Sequence, residues 1–411
     1  MLRGMKVYLD YAATTPVYPE VIEAMKPFWN EKFGNASSLH SWGREARTAV
    51  EKSRAKVAEI LNCQPEEIIF TGTTTTSDNL AILGVVGSCG LWVVGRGIRV
   101  GNGGRPHLIT SQIEHHAVLD TFKYLEKQGF KVDFLPVDKY GMVDLGKLEK
   151  AIRPETVLVS VMYANNEVGT IQPLNEISKI VHSQPNPATR LTTHFSQPVL
   201  HTDAAATAEY LDLDVKKLGV DLMTLGSHKF GGPKGVGILY IKKDTPVSPI
   251  TFGGHHESGL WPGTEAVPLI VGMTKALELS IKYRVSSIKK VAELRDKLIS
   301  GVLEKIPDCY LTGHPTLRLP DITSFVFKNV EGEAILLRLD AEGIAASSGS
   351  ACTSGDLRPS HVLLAMGIPA EEVHGSIRFS LGRETTEEEI DYVLEVLPRV
   401  ISDLRNLSKG I

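Results

Sequence analysis

The sequence predicts an α/β protein built on a large, mainly parallel seven-stranded sheet, with a smaller α+β domain toward the C-terminus. Three observations carry this expectation. Short apolar runs rich in β-branched residues alternate with stretches of helical periodicity through the first two thirds of the 411-residue chain. Polar residues cluster just after those runs, where an open parallel sheet gathers its functional groups beyond the strand ends. After about Pro268 the texture changes to long amphipathic helices with few strands. A large domain over 17–267 and a small one made of 1–16 plus 268–411 follow.

Taken in order, the expected strands are the runs 67–70, 107–110, 132–135, 157–161, 199–202, 221–225 and 236–241. Ala46, Val50, Val57, Ile60 and Leu61 share one helical face between them, and Leu119, Phe122 and Leu125 mark another. Residues 80–95 carry no charge, but four glycines interrupt them and they fall short of the roughly 20 residues that span a bilayer, so they read as a buried helix and loop. The stretches 84–104 and 184–198 read as irregular surface insertions. In the C-terminal part, 323–327 and 376–380 are strands. The last helix opens at Thr385 or Thr386, each with a glutamate three residues on in capping-box spacing.

Composition narrows the function. A content of 42% hydrophobic and 22% charged residues is that of a soluble globular chain, and a net charge of -4 gives no reason to expect nucleic acid or an anionic membrane as partner. Cys63, Cys89, Cys309 and Cys352 lie far apart, with neither a CxxC pair nor a zinc spacing, so no disulfide framework or structural metal is expected and the cytoplasm is the simplest compartment.

The most informative segment is Ser227-His228-Lys229, at the end of an apolar run and just before the glycine-rich 231–237. A lysine where a buried strand meets a tight loop has its charge disfavoured, which suits an amine that forms an imine. Four further features follow other strands. Thr71-Gly-Thr-Thr-Thr-Thr-Ser77 leads into a helix and offers hydroxyls and N–H groups for a phosphate. His115 comes after 107–110, Asn165 after 157–161, and Asp203 after 199–202. An imine-forming lysine, a carboxylate for a pyridine nitrogen, an imidazole plane and a phosphate grip are the needs of pyridoxal 5′-phosphate (PLP). Cys352 lies in a run of small residues, 347–355, with too little apolar area to pack firmly. Arg378 on the strand 376–380 suits bidentate binding of an amino-acid carboxylate.

Several motifs together resemble a known family, the class V, fold-type I PLP enzymes, and within them the cysteine desulfurases of the NifS/IscS class. They are Tyr8-Leu-Asp-Tyr-Ala-Ala-Thr-Thr-Pro16, 33–38, Asn165-Asn-Glu-Val-Gly169, His201-Thr-Asp-Ala204, His228-Lys229 with 232–235, Gly263-Thr264, 347–354 and 376–383. The resemblance implies a homodimer that takes sulfur from L-cysteine, leaves L-alanine, and passes the sulfur through a Cys352 persulfide to an iron-sulfur scaffold protein or another acceptor. It implies that Lys229 carries the imine, Asp203 faces the ring nitrogen and His115 stacks on the ring. Asn165 would lie near the ring hydroxyl and the substrate, and Arg378 would bind the substrate. Thr74, Thr75, Ser227 and His228 would bind the phosphate, joined by Thr264 from the other subunit. No resident metal is expected, although Cys352 is placed to ligate an iron-sulfur cluster in transfer.

The chain departs from that pattern at Ala206, where the family has glutamine, and at Thr74-Thr75-Thr76, where it has alanine-threonine-glutamate. It departs again at Gly226, where the family has a phosphate-binding serine, at Trp261, where it has arginine, and at His255, where it has glycine. Two other readings stay open at this level, a selenocysteine lyase and a catalytically impaired homologue that binds a sulfur-cluster scaffold.

Overall fold

The computed structural model describes residues 5–89, 92–94, 97–99, 106–183, 197–348 and 359–409. Cys352, residues 90–91, 95–96 and 100–104, and all but the end of 184–198 lie outside the described residues. Of the expected surface insertion at 84–104, residues 84–88 instead end a buried helix, and Trp92–Val94 pairs antiparallel with Gly97–Arg99.

Seven strands form the central sheet: β1 (Ile68–Thr71), β2 (His107–Ser111), β3 (Lys131–Leu135), β4 (Thr156–Ser160), β5 (Val199–Asp203), β6 (Leu222–Gly226) and β7 (Gly237–Ile241). Their spatial order is β1-β7-β6-β5-β4-β2-β3. Only β7 runs against its neighbours β1 and β6; the other pairings are parallel. Six strands therefore end on one side of the molecule, and the functional side chains collect there.

Alternation along the strands explains why the sheet is covered on both faces. Ile69, Leu108, Leu158, Leu222 and Leu239 point to one side, where they meet Leu80, Ile82, Val85 and Val86 of α2 (Thr74–Ser88) and Phe122 and Leu125 of α3 (His116–Lys127). Ile68, Phe70, Ile109, Val159, Leu200, Met223, Leu225 and Ile238 point the other way, onto Val50, Val57 and Leu61 of α1 (Ser41–Leu61) and Ile177 and Val181 of α4 (Leu174–Ser183). From Leu80 onward α2 is buried on nearly all sides, against the sheet and α3. Among the described residues no helix is long and apolar enough to cross a membrane.

α2 begins at Thr74, four residues before the expected start. Thr73 is its N-cap: the Thr73 hydroxyl accepts from the Thr76 N–H at 3.1 Å, and the Thr73 N–H donates to the Thr76 hydroxyl at 2.9 Å. A threonine thus takes the place that glutamate or glutamine fills in the usual capping box. Thr74, Thr75 and Thr76 accordingly form the first turn of the helix rather than a loop.

The long helix α5 (Val267–Lys305) joins two cores. Its first half, through Leu279, packs on the large sheet. Val291, Leu294, Leu298 and Val302 pack with a second sheet, antiparallel in the order β8 (Cys309–Leu311), β9 (Ile322–Phe327), β10 (Ser376–Ser380), and with α6 (Glu387–Lys409). α6 opens with Thr386 as cap: its N–H donates to Glu389 at 2.8 Å while its hydroxyl accepts from the Glu389 N–H at 3.3 Å. The neighbouring Thr385 hydroxyl instead accepts from the Gly382 N–H at 2.9 Å. Near the N-terminus, Val7–Tyr8 pairs in parallel with Ile344–Ala345, and Val7 and Leu9 enter the second core.

Candidate active site

A cavity of about 420 Å³ opens beyond the ends of β1, β2, β5 and β6, and Lys229 stands at its edge. β6 finishes in a single 3-10 turn, Ser227–Lys229, that turns the lysine off the sheet. Residues 12–18 strap this turn in place. Thr15 N–H and its hydroxyl both donate to the His228 carbonyl, at 2.9 and 3.0 Å, and the Gly231 N–H donates to the Thr15 hydroxyl at 2.8 Å. Gly231 has φ 77°, and a Cβ there would lie 2.0 Å from the Tyr18 ring, so only glycine lets the strap close. The Lys229 ammonium donates to the carbonyls of Ala12 at 2.6 Å and Ala13 at 2.9 Å.

Asp203 ends β5 on the cavity wall and is buried. Burial pushes its carboxyl up to about 6, against the opposing pull of the Ala205 N–H, which donates at 2.9 Å, and of the Lys229 charge. His115 also lines the cavity and caps α3, its Nδ1 accepting from the Ala117 N–H at 3.1 Å. Burial and the nearby Lys229 charge hold it down to about 4, so at neutral pH it presents an uncharged ring. His228 is likewise held down to about 4, by burial and then by Lys229 and Lys234, with Nδ1 3.2 Å from the Thr14 hydroxyl.

Arg378, in the middle of β10, reaches the same cavity from the second core. Its Nη2 donates to Asp10 at 2.9 Å and its Nη1 to the Asn166 carbonyl at 2.8 Å, while its Nε is buried without a partner among the described residues. The side chain is only 5% exposed.

Thr74, Thr75 and His228 line the cavity with Lys229, Asp203, His115 and Arg378. Three of the expected residues do not. Asn165 is fully buried behind the wall, and both ends of its amide are used: Nδ2 donates to the Ile113 carbonyl at 3.0 Å, and Oδ1 accepts from the Glu167 and Val168 N–H groups at 2.9 Å each. Its neighbour Asn166 faces the cavity instead. Ser227 is buried with its hydroxyl against Gly232, where an added Cβ would lie 2.1 Å away. Thr264 is exposed and outside the cavity of its own chain. Cys352 lies outside the described residues. Of the departing positions, Ala206 lines the cavity without offering a hydrogen bond, and the Trp261 ring stands 3.6 Å from where a Cβ on Gly72 would be.

Some participants had no signal by themselves in the sequence. Asp10 sits in a quoted motif, but only the fold shows that it pairs with Arg378. Glu167 is buried, its carboxyl pushed up to about 7 by burial, and it accepts from Ser360 at 2.5 Å; Ser360 in turn caps the short helix His361–Ala365. This bond and the bridge between Ser347 and Arg378 flank residues 349–358 on both sides. Asp78 in α2 is wholly buried, with its carboxyl pushed well above the usual range by burial and by Asp203.

The donor set fits PLP. A primary amine, a buried carboxylate, an uncharged imidazole and hydroxyls at the start of a 15-residue helix surround one cavity, and the buried Thr74 hydroxyl lacks any protein partner among the described residues. Comparison with known proteins agrees. Residues 7–393 match the aminotransferase class-V family. The cysteine desulfurase IscS of Dictyoglomus turgidum is 49% identical over 403 residues, 98% of this chain and 96% of that protein. A solved NifS-like protein superposes with a TM-score of 0.85 at 38% identity, over 97% of this chain and all of the other. SspA, solved in complex with cysteine, superposes at 0.75 with 32% identity, over 93% of this chain and all of the other. The chain belongs to the aminotransferase class-V family, whose cofactor is PLP. Within it, this chain groups with the NifS/IscS cysteine desulfurases.

Proposed function

We propose that this chain is a PLP-dependent cysteine desulfurase that converts L-cysteine to L-alanine and carries the sulfur as a persulfide on Cys352, for iron-sulfur cluster assembly or another acceptor. The observation that carries the reading is the convergence of Lys229, Asp203, His115 and Arg378 on one cavity.

PLP, when bound, supplies an electron sink for the charge left at the substrate Cα. Lys229 would hold it, Asp203 would keep its ring nitrogen charged, His115 would cover its ring, and Thr74, Thr75 and His228 would grip its phosphate. Arg378 offers the substrate carboxylate a fixed guanidinium, already oriented by Asp10 and the Asn166 carbonyl. The Lys229 amine takes the Cα proton, its reach fixed by the strap at 12–15. The Cys352 thiolate attacks the substrate sulfur, so that an S–S bond forms as the C–S bond breaks; protonation of the carbon skeleton then leaves alanine. Burial supports this choice of cysteine, since it pushes the thiols of Cys63 and Cys89 up to about 12 and leaves them protonated.

The same reading places Thr264 at the neighbouring cavity of a homodimer, which its exposure in one chain supports, as does the 74% exposure of Phe252 in the same segment. It also takes the molecule as two domains, 17–267 and 1–16 plus 268–411, acting in the cytoplasm with a sulfur acceptor as partner. The test is alanine formation from L-cysteine by purified, PLP-loaded protein with a reductant present. Steady production of alanine supports the proposal, and its absence from protein that shows the bound-cofactor absorbance refutes it.

A further inference from the structure

Position 226 is glycine for want of room. A Cβ built there would lie 2.0 Å from the Thr74 hydroxyl oxygen and 3.3 Å from the Thr74 Cβ, so a side chain from the start of α2 already fills the space beside the end of β6. The Thr74 oxygen is shielded from water, has no hydrogen-bond partner among the described residues, and belongs to a residue that lines the cavity. Leaving a buried hydroxyl unpaired is costly, so its partner is to be sought in what fills the cavity. Of the neighbouring hydroxyls, those of Thr73 and Thr76 cap one another. That of Ser227, also buried without a partner among the described residues, lies against Gly232 and outside the lining, which leaves Thr74 as the buried unpaired hydroxyl on the cavity wall. Thr74 is also the first residue of a 15-residue helix, where N–H groups and the helix dipole favour an anion.

We propose that the Thr74 hydroxyl donates to the phosphate of PLP, and that positions 74 and 226 form one exchangeable hydroxyl site, filled from the helix in this chain and available to a serine from the strand only when residue 74 is small. The inference rests on PLP as cofactor and deepens that reading. It joins two departures from the family pattern that run in opposite senses, a hydroxyl gained at 74 and one lost at 226.

The experiment is equilibrium binding to the apoprotein of PLP and of pyridoxal, which lacks the phosphate, followed by absorbance and fluorescence without turnover. Thr74→Val keeps the shape and removes the hydroxyl; it should raise the Kd for PLP on the order of tenfold and leave that for pyridoxal within about twofold. Thr74→Ser should keep the wild-type value. Gly226→Ser alone should weaken PLP through its collision with Thr74, whereas Thr74→Ala combined with Gly226→Ser should return to within about threefold of wild type. An unchanged Kd for PLP in Thr74→Val, equal losses for PLP and pyridoxal, or a double variant no better than Thr74→Ala would overturn the assignment. A wild-type protein that takes up neither ligand would overturn the cofactor reading, and the assignment with it.

Discussion

Replacing Glu257 by alanine should destabilise the protein by about 3 kcal/mol. Glu257 is buried and accepts three hydrogen bonds: from Arg54 Nη1 at 2.9 Å, from Arg54 Nη2 at 2.7 Å and from the Phe70 N–H at 2.8 Å. The Arg54 side chain is itself 12% exposed. Removing the carboxylate leaves a buried guanidinium and a buried β1 N–H without this partner, and breaking a buried pair from one side costs roughly 3 to 5 kcal/mol. The lower end applies because Arg54 keeps the Ile68 carbonyl at 2.6 Å and the exposed Glu51 at 3.2 Å. The left-handed backbone at 257, φ 47°, is common to both proteins and drops out of the difference. At about 2 °C per kcal/mol for a large domain, Tm should fall by about 6 °C in a thermal melt of the apoprotein. Glu257→Gln keeps one acceptor oxygen and should lose only about 1 kcal/mol. An alanine variant melting within about 2 °C of wild type, or a glutamine variant as damaged as the alanine one, would refute the reasoning.

Lys229→Ala should abolish the visible absorbance of covalently held cofactor, and a full band in that variant would remove the lysine from its role. Arg378→Lys keeps a charge but loses the planar fork that Asp10 and Asn166 orient, so KM for cysteine should rise by about tenfold or more with the cofactor band intact; steady-state kinetics at saturating PLP decides it. Apoprotein stability should fall as pH rises from about 6.5 to 8.5. Burial pushes the carboxyls of Glu114 and Asp321 up to about 8, so in this window the native state holds protons that the unfolded chain, with carboxyls near 4, has lost. The buried histidines held down in the fold, His107, His115, His201, His228 and His361, act in the opposite direction as the unfolded chain charges them around 6.5. That effect fades by about 7.5 and is offset at the low end of the window by Glu167 and Glu209, whose carboxyls burial pushes up to about 7. Urea midpoints across the window test this, and flat or rising midpoints would contradict it.

The elements that sequence reasoning located well are those that local chemistry dictates. Strands such as Thr156–Ser160 and Val199–Asp203 are short, buried on both faces and open on branched or apolar residues, and the Thr386 capping box is a local spacing. Lys229, Asp203 and His115 were legible because each lies at or a few residues beyond a strand end, and parallel topology brings strand ends together. What stayed hidden depends on partners distant in sequence. Asn165 follows a strand as well, yet its amide is spent on Ile113 and on its own turn, so Asn166 faces the cavity. The early start of α2 rests on two threonines completing a cap that the usual pattern assigns to threonine and glutamate. Gly226 reads as a lost ligand until the fold shows Thr74 occupying its space. The Arg54–Glu257 and Arg378–Asp10 pairs span 203 and 368 residues, and no spacing rule announces them.

The central claim is that sulfur leaves cysteine for Cys352 in the site organised by Lys229. Mass spectrometry of PLP-loaded protein after a brief exposure to L-cysteine without reductant, paired with quantitation of alanine, tests it most directly. The account predicts one added sulfur on the peptide that contains Cys352, in step with one alanine per site, and neither above background in Cys352→Ala although its cofactor absorbance is unchanged. Alanine produced at the wild-type rate by Cys352→Ala, or the added sulfur found on Cys63, Cys89 or Cys309, would contradict it.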